Sequence, residues 1–260
     1  MWRFHGYSNM GVSPVIFVDA RARRPCHNED ILGIKPANSE LIRNSESVVY
    51  SIRNVDFDYK LQRTANIDFS VFRPSFTNLP LDPYIQGTFR RRRFSRFTGP
   101  AENLSRLAHK YFEQSISVNK LAGGIKRDFP ELEDQLVALP EFQMVVTRFV
   151  DFSKIDPETA EIGIHQIRII ASPEEVGEPA PEGIHKDGFD FVGIFCIDRR
   201  NLVGAETHLY EDPNTAPIFA KELQPGEFVL VNDRRLYHFT SRIKPAGAGE
   251  GTRDVFVMTA

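Results

Sequence analysis

From residue 162 onward the chain alternates short apolar runs with clusters of turn residues, the texture of many short strands folding into a sandwich or jelly roll. Strands are predicted at Ile164 to Ala171, Phe189 to Ile197, Ala205 to Tyr210, Phe228 to Asn232 and Val255 to Met258. Between the first two lies Ser172 to Gly183, rich in Pro, Glu and Gly, which reads as a loop placed like a lid. Gln224-Pro225-Gly226-Glu227 carries Pro and then Gly at its two central positions, the type II turn arrangement.

The first part of the chain is patterned differently. Residues 13 to 20 read as a strand, 24 to 38 as a loop, and 39 to 52 divide between a helix and a strand. Residues 64 to 86 mix Phe69, Phe72, Phe76 and Tyr84 with Pro74, Pro80 and Pro83, a composition for irregular but packed structure. Thr88 to Phe97 reads as an arginine-rich strand. Leu104, Leu107, Ala108, Tyr111 and Phe112 recur at threes and fours, with Glu102 near the start and Gly123-Gly124 beyond, which predicts a helix over 101–122. Phe142, Val145, Val146 and Phe149 predict a second helix over 141–152. The expectation is a mainly β fold with flanking helices: a single domain over 1–260, in which 1–160 supply bracing helices and 161–260 the jelly-roll core.

Composition narrows the class. With 260 residues, 41% of them hydrophobic, the chain can bury one large core. A net charge of −3 gives no reason to expect nucleic acid or an anionic membrane as partner. No apolar run approaches the roughly 18 residues of a membrane span, and Met1 to Tyr7 lacks the apolar segment of a secretory signal. Cys26 and Cys196 form no disulfide framework; Cys196, inside an apolar run, reads as a buried thiol, and the cytoplasm is the default location.

The chemistry concentrates in Pro181 to Gly188. On an extended segment residues i and i+2 point the same way, so His185 and Asp187 can reach one metal ion together. His238, in an aromatic setting far along the chain, would complete two imidazoles and one carboxylate, the facial ligand set of non-haem Fe(II). Seven histidines are present. His5 and His109 receive no role, His165 and His208 lie on predicted strands and read as satisfied, and His27 beside Cys26 lacks the second pair of a zinc site. Tyr237 and Phe239 flank His238 and are expected to shield the metal. Arg253 leads into a buried run, and a buried guanidinium needs an anion as partner. Arg168 is a candidate contact for a cosubstrate or substrate carboxylate, with a surface ion pair as the alternative. Arg91 or Arg93 could hold a substrate carboxylate at the mouth of the site, the alternative being solvated or stacked arginines; alternation puts only half of this basic run on either face.

Pro179 to Gly188, Asn201 to Gly204 and Gly226 to Asp233 resemble the Fe(II)/2-oxoglutarate-dependent dioxygenases, and within them the bacterial free-amino-acid hydroxylases of the isoleucine dioxygenase type, over roughly residues 140 to 260. The resemblance implies a double-stranded β-helix (jelly roll, cupin-like), with His185, Asp187 and His238 as metal ligands and catalytic centre. It implies Arg253 gripping the distal carboxylate of 2-oxoglutarate. Fe(II), 2-oxoglutarate and O2 would be the cofactors, with ascorbate as an optional reductant. The implied reaction is hydroxylation of an unactivated C–H bond of a free or N-acylated aliphatic L-amino acid, with 2-oxoglutarate converted to succinate and CO2. The carboxylate of Asp187 argues against a halogenase, in which a small residue leaves room for halide. Two alternatives stay open: the same chemistry on another small carboxylic acid, and a metal-binding jelly-roll regulatory protein without turnover. The oligomeric state is open too, a homodimer being one option.

Overall fold

The computed structural model describes residues 57–260 apart from 65, 101, 102 and 120. The readings at 13–20, 24–38 and 39–52, with His5, Cys26 and His27, lie outside the described residues. In chain order the elements are β1 (Tyr59–Arg63), α1 (Arg73–Thr77), β2 (Arg90–Thr98), β3 (Ser105–Arg106), α2 (Asp134–Val137), α3 (Pro140–Ser153) and β4 (Ile162–Ala171). There follow β5 (Phe191–Arg200), β6 (Leu202–Gly204), β7 (Glu206–Tyr210), β8 (Phe219–Glu222), β9 (Glu227–Asn232), β10 (Tyr237–Thr240), β11 (Ile243–Pro245) and β12 (Gly251–Thr259).

A large sheet has the order β1-β9-β5-β12-β4-β2-β3, and a small one the order β10-β7-β8, with His185 bridged to β10 on its free edge. The chain therefore crosses repeatedly between sheets: β4 large, the His185 segment small, β5 large, β7 and β8 small, β9 large, β10 small, β12 large. This winding is the double-stranded β-helix expected from the sequence. Val192, Ile194, Val229 and Val231 of the large sheet meet Leu209 of the small one, so two apolar faces close on each other.

The large sheet has a second apolar face. Phe256 and Met258, one position out of step with Val255 and Val257, pack with Phe195, Phe228 and Leu230 against Phe142, Val145, Val146 and Phe149 of α3. The predicted helix over 141–152 thus forms, its apolar stripe on the sheet; Pro140 opens it, where a missing N–H is harmless, and Lys154 closes it at φ 61°. Gly193 makes the close approach possible, since a Cβ there would lie 2.8 Å from the Phe149 ring. The turn at Gln224 is type II as predicted: Gly226 has φ +86°, and Glu227 N–H donates to the Gln224 carbonyl at 2.8 Å.

The helix predicted over 101–122 does not form among the described residues of that span. Its backbone groups find partners elsewhere: Leu107 N–H donates to Arg96 O, and Phe112 and Arg127 exchange both of their backbone hydrogen bonds. Asn119 is a local reason, because its side-chain oxygen accepts from the N–H groups of Leu121 and Ala122 and so competes with a helical ladder. Gly124 closes a loop onto Gln114 O instead of stopping a helix. Phe112, Gln114, Asn119, Leu121, Ala122 and Arg127 of this segment instead line the space between the sheets.

Among the described residues, no helix is long and apolar enough to cross a membrane. Cys196 is a buried free thiol, as read from the sequence, and burial pushes its pKa up to about 11.

Candidate active site

The lid-like loop after β4 brings His185 alongside β10, where its N–H donates to His238 O at 3.0 Å and its carbonyl accepts from His238 N–H at 2.8 Å. The backbone pairing places the two rings side by side, with centroids 4.3 Å apart. Asp187, two residues on, turns the same way as His185. Its Oδ1 lies 3.5 Å from His185 Nε2 and its Oδ2 lies 3.6 Å from His238 Nε2. All three donor atoms fall within 4.8 Å of one another. Two metal–ligand bonds of about 2.1 Å meeting at a right angle would put donors about 3 Å apart, so this group has the dimensions to close on one divalent ion.

Neighbouring groups set the orientation of each donor. His185 Nδ1 donates to Gly183 O at 2.8 Å, which aims Nε2 at the common centre. Burial works against ionisation of Asp187, but the hydrogen bond from His185 and the charges of His238 and His185 outweigh it and hold the carboxyl well below its ordinary range. Burial likewise opposes charge on His185, yet Asp187 and then Glu182 raise its imidazole to about 9, so an entering metal ion must displace the Nε2 proton.

Asp233 was not singled out in the sequence and is central here. Its buried carboxylate accepts from the N–H groups of Asp187, Gly188 and Phe189 at 3.1, 2.7 and 3.2 Å, and lies 3.5 Å from His238 Nδ1. One side chain thus ties the loop carrying two donors to the strand carrying the third. Gly188, at φ +86°, lets the chain turn around that carboxylate. On the opposite side Gln114 Nε2 donates to the carbonyl and Oδ1 of Asp187 at 3.0 and 3.2 Å. Gln114 Oε1 in turn accepts from Asn119 and Arg127, so the segment mistaken for a helix forms part of the wall.

These groups border a cavity of about 90 Å³ between the sheets. Arg253, Val255 and Val257 enter it from alternate positions of β12, and Ile167 and Ile169 from β4. Arg253 is buried, its Nε and Nη2 have no hydrogen-bond partner, and burial lowers its pKa to about 10. A buried guanidinium with free donors is unfavourable unless an anion reaches it.

β2 forms where predicted, but its faces are the reverse of those proposed for Arg91 and Arg93. The register Arg92↔Ile167 puts Arg90 and Arg92 in the cavity, while Arg91 donates to Leu79 O and Arg93 to Glu131 O and Glu133 on the other side. Arg90 pairs with buried Asp82 at 2.8 Å. Arg92 lies over Phe129, 4.4 Å from its centroid, with Nη2 2.7 Å from His165 Nδ1. Burial, then the charge of Arg92, holds His165 well below the ordinary imidazole range, so it is a neutral acceptor, a satisfied core histidine as expected.

Arg168 is neither a cosubstrate contact nor a surface pair. It makes a two-pronged ion pair with Asp254 at 2.6 and 2.7 Å, buried on the face of the large sheet away from the cavity. Tyr237 and Phe239 alternate with His238 and turn away from the converging donors; Tyr237 lies under Lys186 and Phe239 meets His208 edge to face. His208 is satisfied by Glu206 and Tyr210, and His109 is paired to Asp128.

Known proteins carry the same pattern. Residues 73–259 match the family model described as 2OG-Fe dioxygenase. The 3(1)-hydroxy-L-isoleucine 4-dioxygenase of Pantoea ananatis (strain AJ13355) is 26% identical over 200 residues, 72% of this chain and 78% of the relative. The L-isoleucine-4-hydroxylase of Bacillus thuringiensis is 26% identical over 193 residues, 71% of this chain and 79% of the relative. Among solved structures, a bsmA homolog from Methylobium petroleophilum PM1 superimposes with a TM-score of 0.64 at 27% identity, covering 74% of this chain and 79% of that one. The family match runs from α1 to the last residue of β12 and takes in both walls of the cavity; this chain belongs to the 2OG-Fe dioxygenase family, a double-stranded β-helix oxidoreductase that uses Fe(II), 2-oxoglutarate and O2.

Proposed function

We propose that His185, Asp187 and His238 hold the Fe(II), that Arg253 pairs with the distal carboxylate of 2-oxoglutarate, and that the enzyme hydroxylates an unactivated C–H bond of a free or N-acylated aliphatic L-amino acid. The observation that carries the metal and cosubstrate assignment is one cavity bounded by three converging donors and a buried, partly unpartnered Arg253. The relatives from Pantoea ananatis and Bacillus thuringiensis, a 3(1)-hydroxy-L-isoleucine 4-dioxygenase and an L-isoleucine-4-hydroxylase, support the substrate class.

When bound, Fe(II) with 2-oxoglutarate and O2 supplies the oxidising power that replaces C–H by C–OH, with succinate and CO2 as coproducts. The chain's own work is positioning and exclusion. His185, Asp187 and His238 would hold the ion at the edge of the cavity, where cosubstrate and substrate would meet it. Arg253, with its planar fork, can take a carboxylate through two parallel hydrogen bonds and so fix the far end of the cosubstrate. Ile167, Val255, Val257 and Phe112 make the wall apolar, which keeps water from competing for the reacting position and suits an aliphatic side chain.

Asp233 is a positioning residue in this scheme. In Asp233→Asn the amide can accept at only one atom, so the three N–H groups it now serves cannot all be satisfied. Metal affinity is expected to fall about 10- to 100-fold, the usual effect of losing an outer partner of a metal ligand, with far-UV circular dichroism unchanged. A Mn(II) titration giving wild-type affinity would remove Asp233 from the scheme.

The substrate class is tested by incubating the enzyme with Fe(II), 2-oxoglutarate and O2 against free and N-acetyl amino acids. Mass spectrometry is expected to show gain of one oxygen, matched by succinate. Succinate release at the substrate-free rate with every member would sink the amino-acid reading.

A further inference from the structure

The charge balance of the cavity leaves three groups that the metal and the cosubstrate do not use. Of its four guanidiniums, Arg90 is neutralised by Asp82 and Arg253 is assigned to 2-oxoglutarate. Arg92 and Arg127, 6% and 3% exposed, have no carboxylate at ion-pair distance among the described residues, and the Nε of each lacks a partner. Neutral groups hold both: Arg92 rests on Phe129 and reaches His165, while Arg127 lies 4.7 Å over the Phe112 ring and donates to Gln114. Both are positioned, and neither has a carboxylate in direct contact.

Glu182 is the complementary group. It lines the same cavity three residues before His185, with Oε1 3.5 Å from His185 Nε2 and Oε2 buried without any partner. Arg92 and Arg127 line that cavity with it. A carboxylate oxygen without a donor and two guanidiniums without an anion are each unfavourable in a dry site. A single molecule that carries a carboxylate and a cation a few bonds apart relieves all three.

We propose that Arg92 and Arg127 bind the α-carboxylate of the substrate and Glu182 its α-ammonium, so that the site takes free amino acids and rejects their N-acylated forms. This rests on the amino-acid hydroxylase reading and decides what that reading leaves open. An N-acyl nitrogen is uncharged, so it would leave Glu182 Oε2 buried without a charged donor, and a polar site rejects an analogue lacking the group it was built to pair. Pro179, Ala180, Leu121 and Ala122 form the apolar lining left for the side chain. Arg92 also stands apart from the cosubstrate end of the cavity: the His165 it reaches pairs with Val257, four residues along β12 from Arg253, or roughly 13 Å at strand spacing.

The test compares wild type and Glu182→Gln on L-leucine, L-isoleucine and L-methionine, their N-acetyl derivatives and their 2-hydroxy-acid analogues. Hydroxylated product is read by mass spectrometry, and Mn(II) affinity is measured alongside. Wild type is expected to prefer the free amino acid over both analogues by about 100-fold or more in kcat/KM. Glu182→Gln is expected to lose about 30-fold or more on the free amino acid, through KM, the loss that follows removal of one partner of a buried charged pair. The preference over the 2-hydroxy acid should collapse with it, while Mn(II) affinity stays at the wild-type value. The proposal is overturned if wild type accepts N-acetyl and free substrates equally, if Glu182→Gln keeps wild-type kcat/KM, or if the variant loses Mn(II), which would make Glu182 a metal ligand. Turnover of N-acetyl substrates alone refutes the clamp and leaves the hydroxylase reading standing; turnover of no member refutes both.

Discussion

His185→Ala is expected to abolish hydroxylation, well beyond the 10- to 100-fold that loss of an outer partner typically costs at about this kind of site. Only His238 and Asp187 would remain as donors, too few to hold the ion against water. The fold should survive, because the backbone of His185 and not its ring makes the bridge to His238, at 3.0 and 2.8 Å. Thermal unfolding separates the two effects. A metal ion at a hundredfold excess over its dissociation constant adds about 2.7 kcal/mol to the folded state, which for a unit of this size raises Tm by roughly 5–10 °C. Wild type should show that rise with Mn(II), and His185→Ala should show none. A variant that still couples 2-oxoglutarate to hydroxylation would show that the metal sits elsewhere.

Breaking half of the Arg168–Asp254 pair is expected to be the most destabilising single change available in the large sheet. The two residues face each other directly across β4 and β12, with side chains 9% and 1% exposed and hydrogen bonds of 2.6 and 2.7 Å. Asp254→Leu leaves a buried guanidinium without its anion, at a cost of about 3–5 kcal/mol. Replacing both charges together, as in Arg168→Met with Asp254→Leu, should recover most of that, since apolar pairs of similar volume are often as stable as the ions they replace. Urea unfolding reads this as a fall in midpoint at constant slope for the single variant and a near-return for the double. Equal losses in both would assign the effect to packing. The pair also bears on the site: it lies beside the register shift between β12 and β5 at Asp254/Val255, so it helps to hold Arg253 inward, and the single variant should weaken 2-oxoglutarate binding as well.

Much of this was written locally. The strands after residue 162 and the helix α3 declare themselves by period, because each buries one face and the spacing of its apolar residues reports which. His185 and Asp187 were legible for the same reason, since both sit on a single extended segment. Arg253 could be read from its position at the head of a buried run. Over 101–122 helical spacing does not produce a helix. Leu104 to Phe112 have helical spacing, but Phe112 pairs its backbone with Arg127 and Tyr111 is 46% exposed, so the apolar positions never shared a face.

The faces of β2 illustrate what spacing cannot contain. Alternation says that Arg90 and Arg92 oppose Arg91 and Arg93, but which pair enters the cavity depends on the register Arg92↔Ile167, and a slip of one residue exchanges them. Asp233, Gln114, Arg127 and Glu182 received no role of their own from the sequence, because each acts through partners contributed by other segments. The sequence by itself determined the donor types, the pairing of two of them on one strand-like segment, and the β-rich class of the fold, all consequences of local stereochemistry. Only the tertiary structure decided which arginines are buried without an anion and which carboxylates stand beside the three converging donors, because burial and pairing are properties of segments brought together across the barrel.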